Sequence, residues 1–271
     1  MSYKLLICGW YGTETLGDKA ILGGIVQAVE NKVQVSFKEK YLVSLNPYLS
    51  EVTKGQMPEL SEYNIVTLKE AYRLVGTDSV LIFGGGPLMA IKEISTMSLL
   101  FEKNNSSKGL NVLAGVGVGP FGPKAFNKYI RRIINLTDLG VFRDQKSLNL
   151  AKQIGGLEKA FFVAEDPSLS WITNNSKIIP VREEKHSKKV VLLCIRDFPF
   201  VEYAYKLGKK KGKLIKESFD GEILRLIDEL LDEQDYVVKP MPMCTNSYGG
   251  DDRWYLRNLL GDRVFHENLD S

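Results

Sequence analysis

Leu5-Leu6-Ile7-Cys8-Gly9-Trp10-Tyr11-Gly12-Thr13-Glu14-Thr15-Leu16-Gly17-Asp18-Lys19-Ala20-Ile21-Leu22 packs a strand, a turn and the start of a helix into one short run. Leu5 to Cys8 is a continuous apolar run of the length of a buried strand. Ile21, Ile25, Val26 and Val29 recur at helical spacing and define one apolar face. Between them lies a turn with Gly9, Gly12 and Gly17. Strand, glycine-rich turn and helix N-terminus together form an anion site in α/β proteins, because glycines admit a ligand to the backbone N–H groups and the helix dipole favours negative charge. Gly12 and Gly17 have the spacing of a phosphate-binding P-loop, but Asp18 stands where that motif needs its lysine, and a carboxylate there repels phosphate. The P-loop reading is rejected. Asp18 is left with two readings, a cap on the helix or a polar group at the rim of a cleft.

The same alternation continues outward from this run. Apolar strands are expected at 41–45, 63–68, 79–83, 111–114, 139–142 and 160–163, with helices at 69–74, 95–102, 124–136 and 147–154, the last capped by Ser147. Short apolar strands separated by helices imply a parallel sheet covered on both faces. Polarity then rises through 174–189, which reads as a linker. A second βα series follows: strands at 190–195 and 236–238, a helix at 222–231 with Ile223, Leu226, Ile227 and Leu230 on one face, a helix at 251–260, and a last strand at 263–265. The expected architecture is therefore two Rossmann-like parallel-sheet domains, 1–173 and 190–271. The second is short of strands and looks incomplete.

The 271 residues, 44% hydrophobic and 25% charged, describe an ordinary globular chain, and a net charge of +3 is too small to argue for nucleic acid. The N-terminus carries neither a signal peptide nor a membrane-spanning run. Cys8, Cys194 and Cys244 are odd in number and far apart, so they read as buried thiols of a reducing compartment, and the cytoplasm is expected. His186 and His266 lack partners for acid–base work, and no metal-ligand spacing appears. The basic run Lys209-Lys210-Lys211-Gly212-Lys213 reads as a solvated loop, or as a contact for an anionic membrane surface or a diphosphate-bearing substrate.

In an open parallel sheet, ligands bind beyond the carboxyl ends of the strands. The residues there are the Gly9 to Asp18 turn, Gly84-Gly85-Gly86-Pro87, Gly115-Val116-Gly117-Val118-Gly119-Pro120, Arg143-Asp144, Asp166-Pro167 and Arg196-Asp197. Three glycine turns in one domain predict a cleft floored by backbone. Gly117 to Gly122 also spells G-x-G-x-x-G, with Asp138 at ribose-binding distance in sequence. That motif belongs in the first βα turn, however, and Pro120 removes a donor that a pyrophosphate needs. Arg143 and Arg196 each follow an apolar strand, where a guanidinium either grips phosphate or carboxylate or pairs with a neighbouring Asp.

Taken in order, Gly9-x-x-Gly12-x-x-x-x-Gly17-Asp18-x-Ala20-Ile21-Leu22, Gly84-Gly85-Gly86-x-Leu88, Gly117-x-Gly119-Pro120, Arg143-Asp144-x-x-Ser147, Asp166-Pro167 and Ile195-Arg196-Asp197 resemble the polysaccharide pyruvyl transferase family over nearly the whole chain. The resemblance implies a GT-B-like protein with its active site between two Rossmann-like halves. It implies transfer of pyruvate from phosphoenolpyruvate onto two sugar hydroxyls as a cyclic ketal, on a bacterial surface polysaccharide or its lipid-linked precursor, without a further cofactor. By the same resemblance Arg196 is expected to hold the phosphoenolpyruvate anion and Asp18 to take a polar role at the cleft, either as helix cap or as contact to an acceptor hydroxyl. Arg143 and the glycines Gly12, Gly17, Gly84, Gly85, Gly86, Gly117 and Gly119 are expected to line the substrate site. The family's Arg-Leu-His motif, whose His is the expected acid, is absent from this sequence. That predicts a truncated or divergent member with weak catalysis. A nucleotide-sugar glycosyltransferase and a non-catalytic anion- or sugar-binding module are the alternatives.

Overall fold

The structure is a computed structural model that describes residues 2–13, 15–119, 124–175, 188–197, 207–233, 235–246 and 250–264. It divides into two compact units, Met1–Ile179 and Pro180–Ser271.

The first unit is built on parallel strands β1 (Tyr3–Cys8), β2 (Phe37–Ser44), β3 (Tyr63–Thr67), β4 (Ser79–Gly84), β5 (Pro87–Leu88), β6 (Leu110–Val118), β7 (Leu139–Phe142) and β8 (Ala160–Val163). Their order is β3-β2-β1-β4-β6-β7-β8, with the two-residue β5 paired to the end of β6. The helices are α1 (Leu16–Lys32), α2 (Pro47–Gln56), α3 (Leu68–Leu74), α4 (Glu93–Ser106), α5 (Lys124–Asn135), α6 (Gln145–Gly155) and α7 (Pro167–Asn175). Both faces of β1 are buried, which is why its sequence is continuously apolar. Leu5 and Ile7 join Ile21, Ile25 and Val26 of α1 in one core. Leu6 and Cys8 join Phe83, Phe101 and Leu113 in the other. The chain first moves outward from β1 to β3, then returns to β4 on the other side of β1. The crevice at a topological switch point therefore opens between the carboxyl ends of β1 and β4, where the Gly9 and Gly84 turns lie.

Helices α2 and α7 escape the periodicity reading. Helix α2 starts at Pro47 behind Asn46, whose side chain accepts from the Leu49 N–H at 3.4 Å. Helix α7 starts at Pro167 behind Asp166, whose Oδ1 accepts from the Ser168 N–H at 3.0 Å. A cap followed by proline at the first helical position is a start signal in its own right, and it outranks the weak apolar periodicity of both segments. Strand β6 also runs four residues past its expected end. Gly115, at φ +64°, sits where the pairing with β7 shifts register, so Gly117 belongs to the strand and not to a turn. The cap of α6 is Asp144 and not Ser147. Asp144 accepts from the Ser147 N–H at 2.7 Å and from its Oγ at 2.8 Å, and Ser147 Oγ in turn accepts from the Val118 N–H at 2.9 Å. The Ser147 N–H, followed by its hydroxyl, holds the Asp144 carboxyl below the usual Asp range.

The second unit contains β9 (Lys189–Leu193), α8 (Lys209–Asp232) and β10 (Tyr236–Pro240), a parallel βαβ unit. A two-residue antiparallel pair, β11 (Thr245–Asn246) and β12 (Gly250–Asp251), then leads into α9 (Asp252–Leu260). Leu193, Ile227, Val238, Leu256 and Leu260 form its core. Several expectations are corrected here. Lys209 to Lys213 is the start of α8, not a loop, and Leu226 is 47% exposed although its spacing puts it on the apolar face. Gly261–Arg263 is a 3-10 turn where a strand is expected; Phe265 lies outside the described residues, as do most of the expected linker, Pro120 and both histidines. Asn174 and Asn175 end α7, and Asn174 donates to Gln27 Oε1 at 3.0 Å. Cys8 and Cys244 are buried as expected, whereas Cys194 is exposed.

Candidate active site

At the switch point the two turns are pressed together. A Cβ on Gly9 would overlap the Gly84 carbonyl oxygen, and one on Gly84 would overlap the Ile25 side chain. Gly85 and Gly86 have φ of +84° and +82°, which L side chains rarely adopt, and they lie against Tyr11 and Trp10 respectively. Trp10 fills the crevice itself. It is 4% exposed, donates its indole N–H to the Pro87 carbonyl at 2.8 Å, and meets Phe83 edge to face. The expected backbone floor is thus largely covered by the protein's own side chains. Gly12, at φ +87°, packs on Asn46 and Ser44 of the β2–α2 connection.

Gly17 differs from all of these. It has ordinary helical backbone, is exposed, and nothing lies within 4 Å of where its Cβ would be. Asp18 is not the helix cap; that position is Thr15, and Asp18 is the third helical residue, with its carboxylate 3.5 Å from Thr13 Oγ1 and beside Gly86. An acid in the first turn complements the helix dipole. Tyr11, Thr13, Thr15 and Asp18 line a small hollow in which the buried Tyr11 hydroxyl has no hydrogen-bond partner among the described residues. Burial, reinforced by the Asp18 charge, pushes the Tyr11 phenol well above its ordinary value and keeps it a donor.

Further along the same sheet edge, the Asp144–Ser147–Val118 bonds anchor the start of α6 to the end of β6, and the Arg143 N–H donates to the Val116 carbonyl at 3.1 Å. This places the Arg143 side chain over Gly117, whose Cβ would lie 3.1 Å from the guanidinium, and 3.7 Å from the Asp166 carboxylate. Gly119 has φ +102° and donates to the Leu88 carbonyl at 3.2 Å. Asp138 is elsewhere. It accepts from the Asn111 N–H at 2.8 Å, near the amino ends of β6 and β7, away from any ligand beyond their carboxyl ends.

Arg196 belongs to the second unit and follows β9. Its Nε donates to Asp252 Oδ1 at 3.3 Å. Asp252 is 2% exposed, and its other oxygen accepts from the Met243 and Cys244 N–H groups at 3.1 and 2.7 Å. Beside this pair, Lys216 of α8 sits 2.7 Å from Asp197 and 3.3 Å from Asp220, over the ring of Tyr255, whose hydroxyl donates to Asp220 at 2.6 Å. Burial pulls the Lys216 pKa down, but its bonds to Asp197 and Asp220 outweigh that and leave it above the ordinary lysine value. These groups, with Trp254 and Asn258, line a cavity of about 460 Å³ at the carboxyl end of β9. Its size is that of a small-molecule site. Sequence reasoning reaches Arg196 and Asp197 here but not Lys216, Asp220, Asp252, Trp254 or Tyr255. Asp251-Asp252 directly before a helix is the available signal.

Among solved structures, the chain is similar in fold to Staphylococcus aureus MnaA in complex with UDP (TM-score 0.55, 14% identity, 96% of this chain and 66% of that one). It is likewise similar to a Listeria monocytogenes protein assigned as a UDP-N-acetylglucosamine 2-epimerase (TM-score 0.59, 10% identity, 96% and 67%). The chain therefore spans about two thirds of the length of these structures, and at such identities the likeness is one of fold alone: parallel-sheet α/β, GT-B-like. Comparison with curated protein sequences gave no match. The family description for polysaccharide pyruvyl transferases matches residues 16–266, from the first turn of α1 to beyond α9, so Gly17, Asp18, Arg143 and the second-unit cavity fall within it and Gly9 to Thr15 precede it. The chain belongs to the polysaccharide pyruvyl transferase family.

Proposed function

We propose that the chain transfers pyruvate from phosphoenolpyruvate to two hydroxyls of a surface-polysaccharide sugar, and that Arg196 holds the donor's anionic groups in the second-unit cavity. The supporting observation is the pairing of a guanidinium with carboxylates in one cavity, inside a chain of this family. The chemistry needs both. A proton goes to the methylene carbon of the enol, giving a methyl group, while one sugar oxygen bonds to the adjacent carbon. A second sugar oxygen then displaces phosphate from that carbon. Of the two hydroxyl protons, one balances the methyl group and the other leaves with phosphate. Cations stabilise the carboxylate and the departing phosphate, and a carboxylate takes a hydroxyl proton. Asp197, more than half exposed beside Lys216, is suited to the second role. In the first unit, Asp18, Arg143 and the open backbone at Gly17 are proposed as a separate polar surface at the sheet edge where the glycine turns end. Saturable phosphoenolpyruvate binding that Arg196→Ala abolishes is the expected result. Hydrolysis of a UDP-sugar in its place would favour the nucleotide-sugar reading, which the fold likeness to a UDP complex supports.

We further propose a cytoplasmic protein that touches the inner membrane face through the start of α8. Lys209, Lys210, Lys211 and Lys213 are exposed there, together with Leu207 and Leu214 at 48% and 57%. No helix among the described residues is long and apolar enough to cross a membrane. A basic patch of this size gains about 1 kcal/mol per lysine at an anionic surface and is screened by salt. Co-sedimentation with phosphatidylglycerol vesicles is expected, lost on phosphatidylcholine and when the four lysines become glutamine. Equal binding to both vesicle types would contradict it.

A further inference from the structure

The second-unit cavity carries more negative than positive groups. Arg196 and Lys216 face four carboxylates, Asp197, Asp220, Asp251 and Asp252. Arg196 is already bonded to Asp252, Lys216 to Asp197 and Asp220, and Asp251 to the neighbouring Arg253 through both oxygens, so one carboxylate remains in excess over the three cations. A site so composed has room for one anion at its guanidinium but repels a second. The wall formed by α9 has a different chemistry. Trp254, 63% exposed, presents its indole to the cavity, with Asn258 one turn further along the helix and Asp251 preceding it. Exposing an indole to water is unfavourable unless something covers it. An aromatic face flanked by an amide and carboxylates matches a pyranose ring, whose C–H face is apolar and whose hydroxyls donate to carboxylate oxygens.

We propose that this wall is the acceptor-sugar subsite: a neutral pyranose stacks on Trp254, with its hydroxyls held by Asn258 and Asp251. Trp254 is then a specificity-determining residue, and the carboxylate excess selects neutral sugars over uronic acids. This rests on reading the cavity as the donor site, since donor and acceptor must meet there.

The test is a ligand-observed NMR titration of the full chain with the methyl pyranosides of glucose, galactose and mannose, their N-acetylated counterparts, and methyl glucuronide. Phosphoenolpyruvate binding is measured in parallel by calorimetry. At least one neutral glycoside is expected to bind saturably, and the glucuronide at least about tenfold more weakly. Trp254→Ala is expected to weaken the neutral sugar about tenfold, the scale of one lost aromatic contact, with phosphoenolpyruvate affinity unchanged within about twofold. Trp254→Phe restores part of the sugar binding. Because Trp254 is exposed, neither change threatens the fold. Sugar binding without phosphoenolpyruvate binding would sink the donor reading and, with it, the acceptor role, leaving a sugar site at Trp254 of another purpose. Absence of binding by every neutral glycoside, equal binding of the glucuronide, or unaltered binding by Trp254→Ala would each overturn the subsite.

Discussion

Asp252→Ala is expected to unfold much of the second unit while leaving the first intact. The carboxylate is almost fully buried, and three donors converge on it: the N–H groups of Met243 and Cys244 and the Arg196 side chain. Its removal takes the acceptor from two backbone donors and one carboxylate from Arg196. Leaving a buried N–H without its acceptor costs about 1–3 kcal/mol for each group, a large share of the stability of so small a unit. The same bonds fix the turn before α9 and hold Arg196 in place, so donor binding should fail together with stability. Asp252→Asn keeps one oxygen for the backbone but turns an amide N–H₂ toward Arg196, and its loss should be smaller. Hydrogen exchange read peptide by peptide separates the units. Loss of protection across α9 and β10, with α1 and β4 unchanged, is the expected pattern. Parent-like protection in Asp252→Ala would show that the pair is dispensable.

Gly9→Ala is expected to be comparably damaging to the first unit. Its Cβ would meet the Gly84 carbonyl oxygen and lie 3.0 Å from the Tyr11 ring, at the point where β1 and β4 pair through Cys8 and Phe83. Neither strand yields without opening the centre of the sheet, so a cost of about 3 kcal/mol or more is expected, at the upper end for overpacking. Gly17→Ala is the control. Nothing opposes a methyl group there, and alanine gains up to about 1 kcal/mol over glycine in a helix. Urea denaturation followed by far-UV circular dichroism compares the two. A Gly9→Ala protein as stable as the parent would mean that the turns are not interlocked as described.

The contrast between these glycines marks how far the amino-acid sequence alone can be read. Alternating apolar runs and helical faces are enough to place β1, β4, β7 and α1, because burial on both faces of a parallel sheet writes itself into sequence. Caps with a following proline are equally readable signals at Asn46-Pro47 and Asp166-Pro167, but a reading led by periodicity passes over them. Glycine-rich turns fall at strand ends as expected, yet sequence does not separate a glycine that admits a ligand from one that admits another backbone. Gly9, Gly84 and Gly115 serve close packing; Gly17 alone of the candidate glycines with described surroundings stands open. Arg196 is legible as a cation after a strand. Asp197 is its neighbour in the chain, but Asp220, Asp251 and Asp252 come from α8 and the start of α9, far away in sequence, and only the fold brings them to it.

Calorimetric titration of phosphoenolpyruvate into the chain, alongside Arg196→Ala, asks whether the donor anion is held at Arg196. Saturable binding by the parent and none by the variant is expected, with the variant folded, because the Arg196 side chain is 41% exposed and its removal leaves Asp252 its two backbone bonds. Failure of the parent to bind, or equal binding by both proteins, would contradict the placement of the donor site at Arg196.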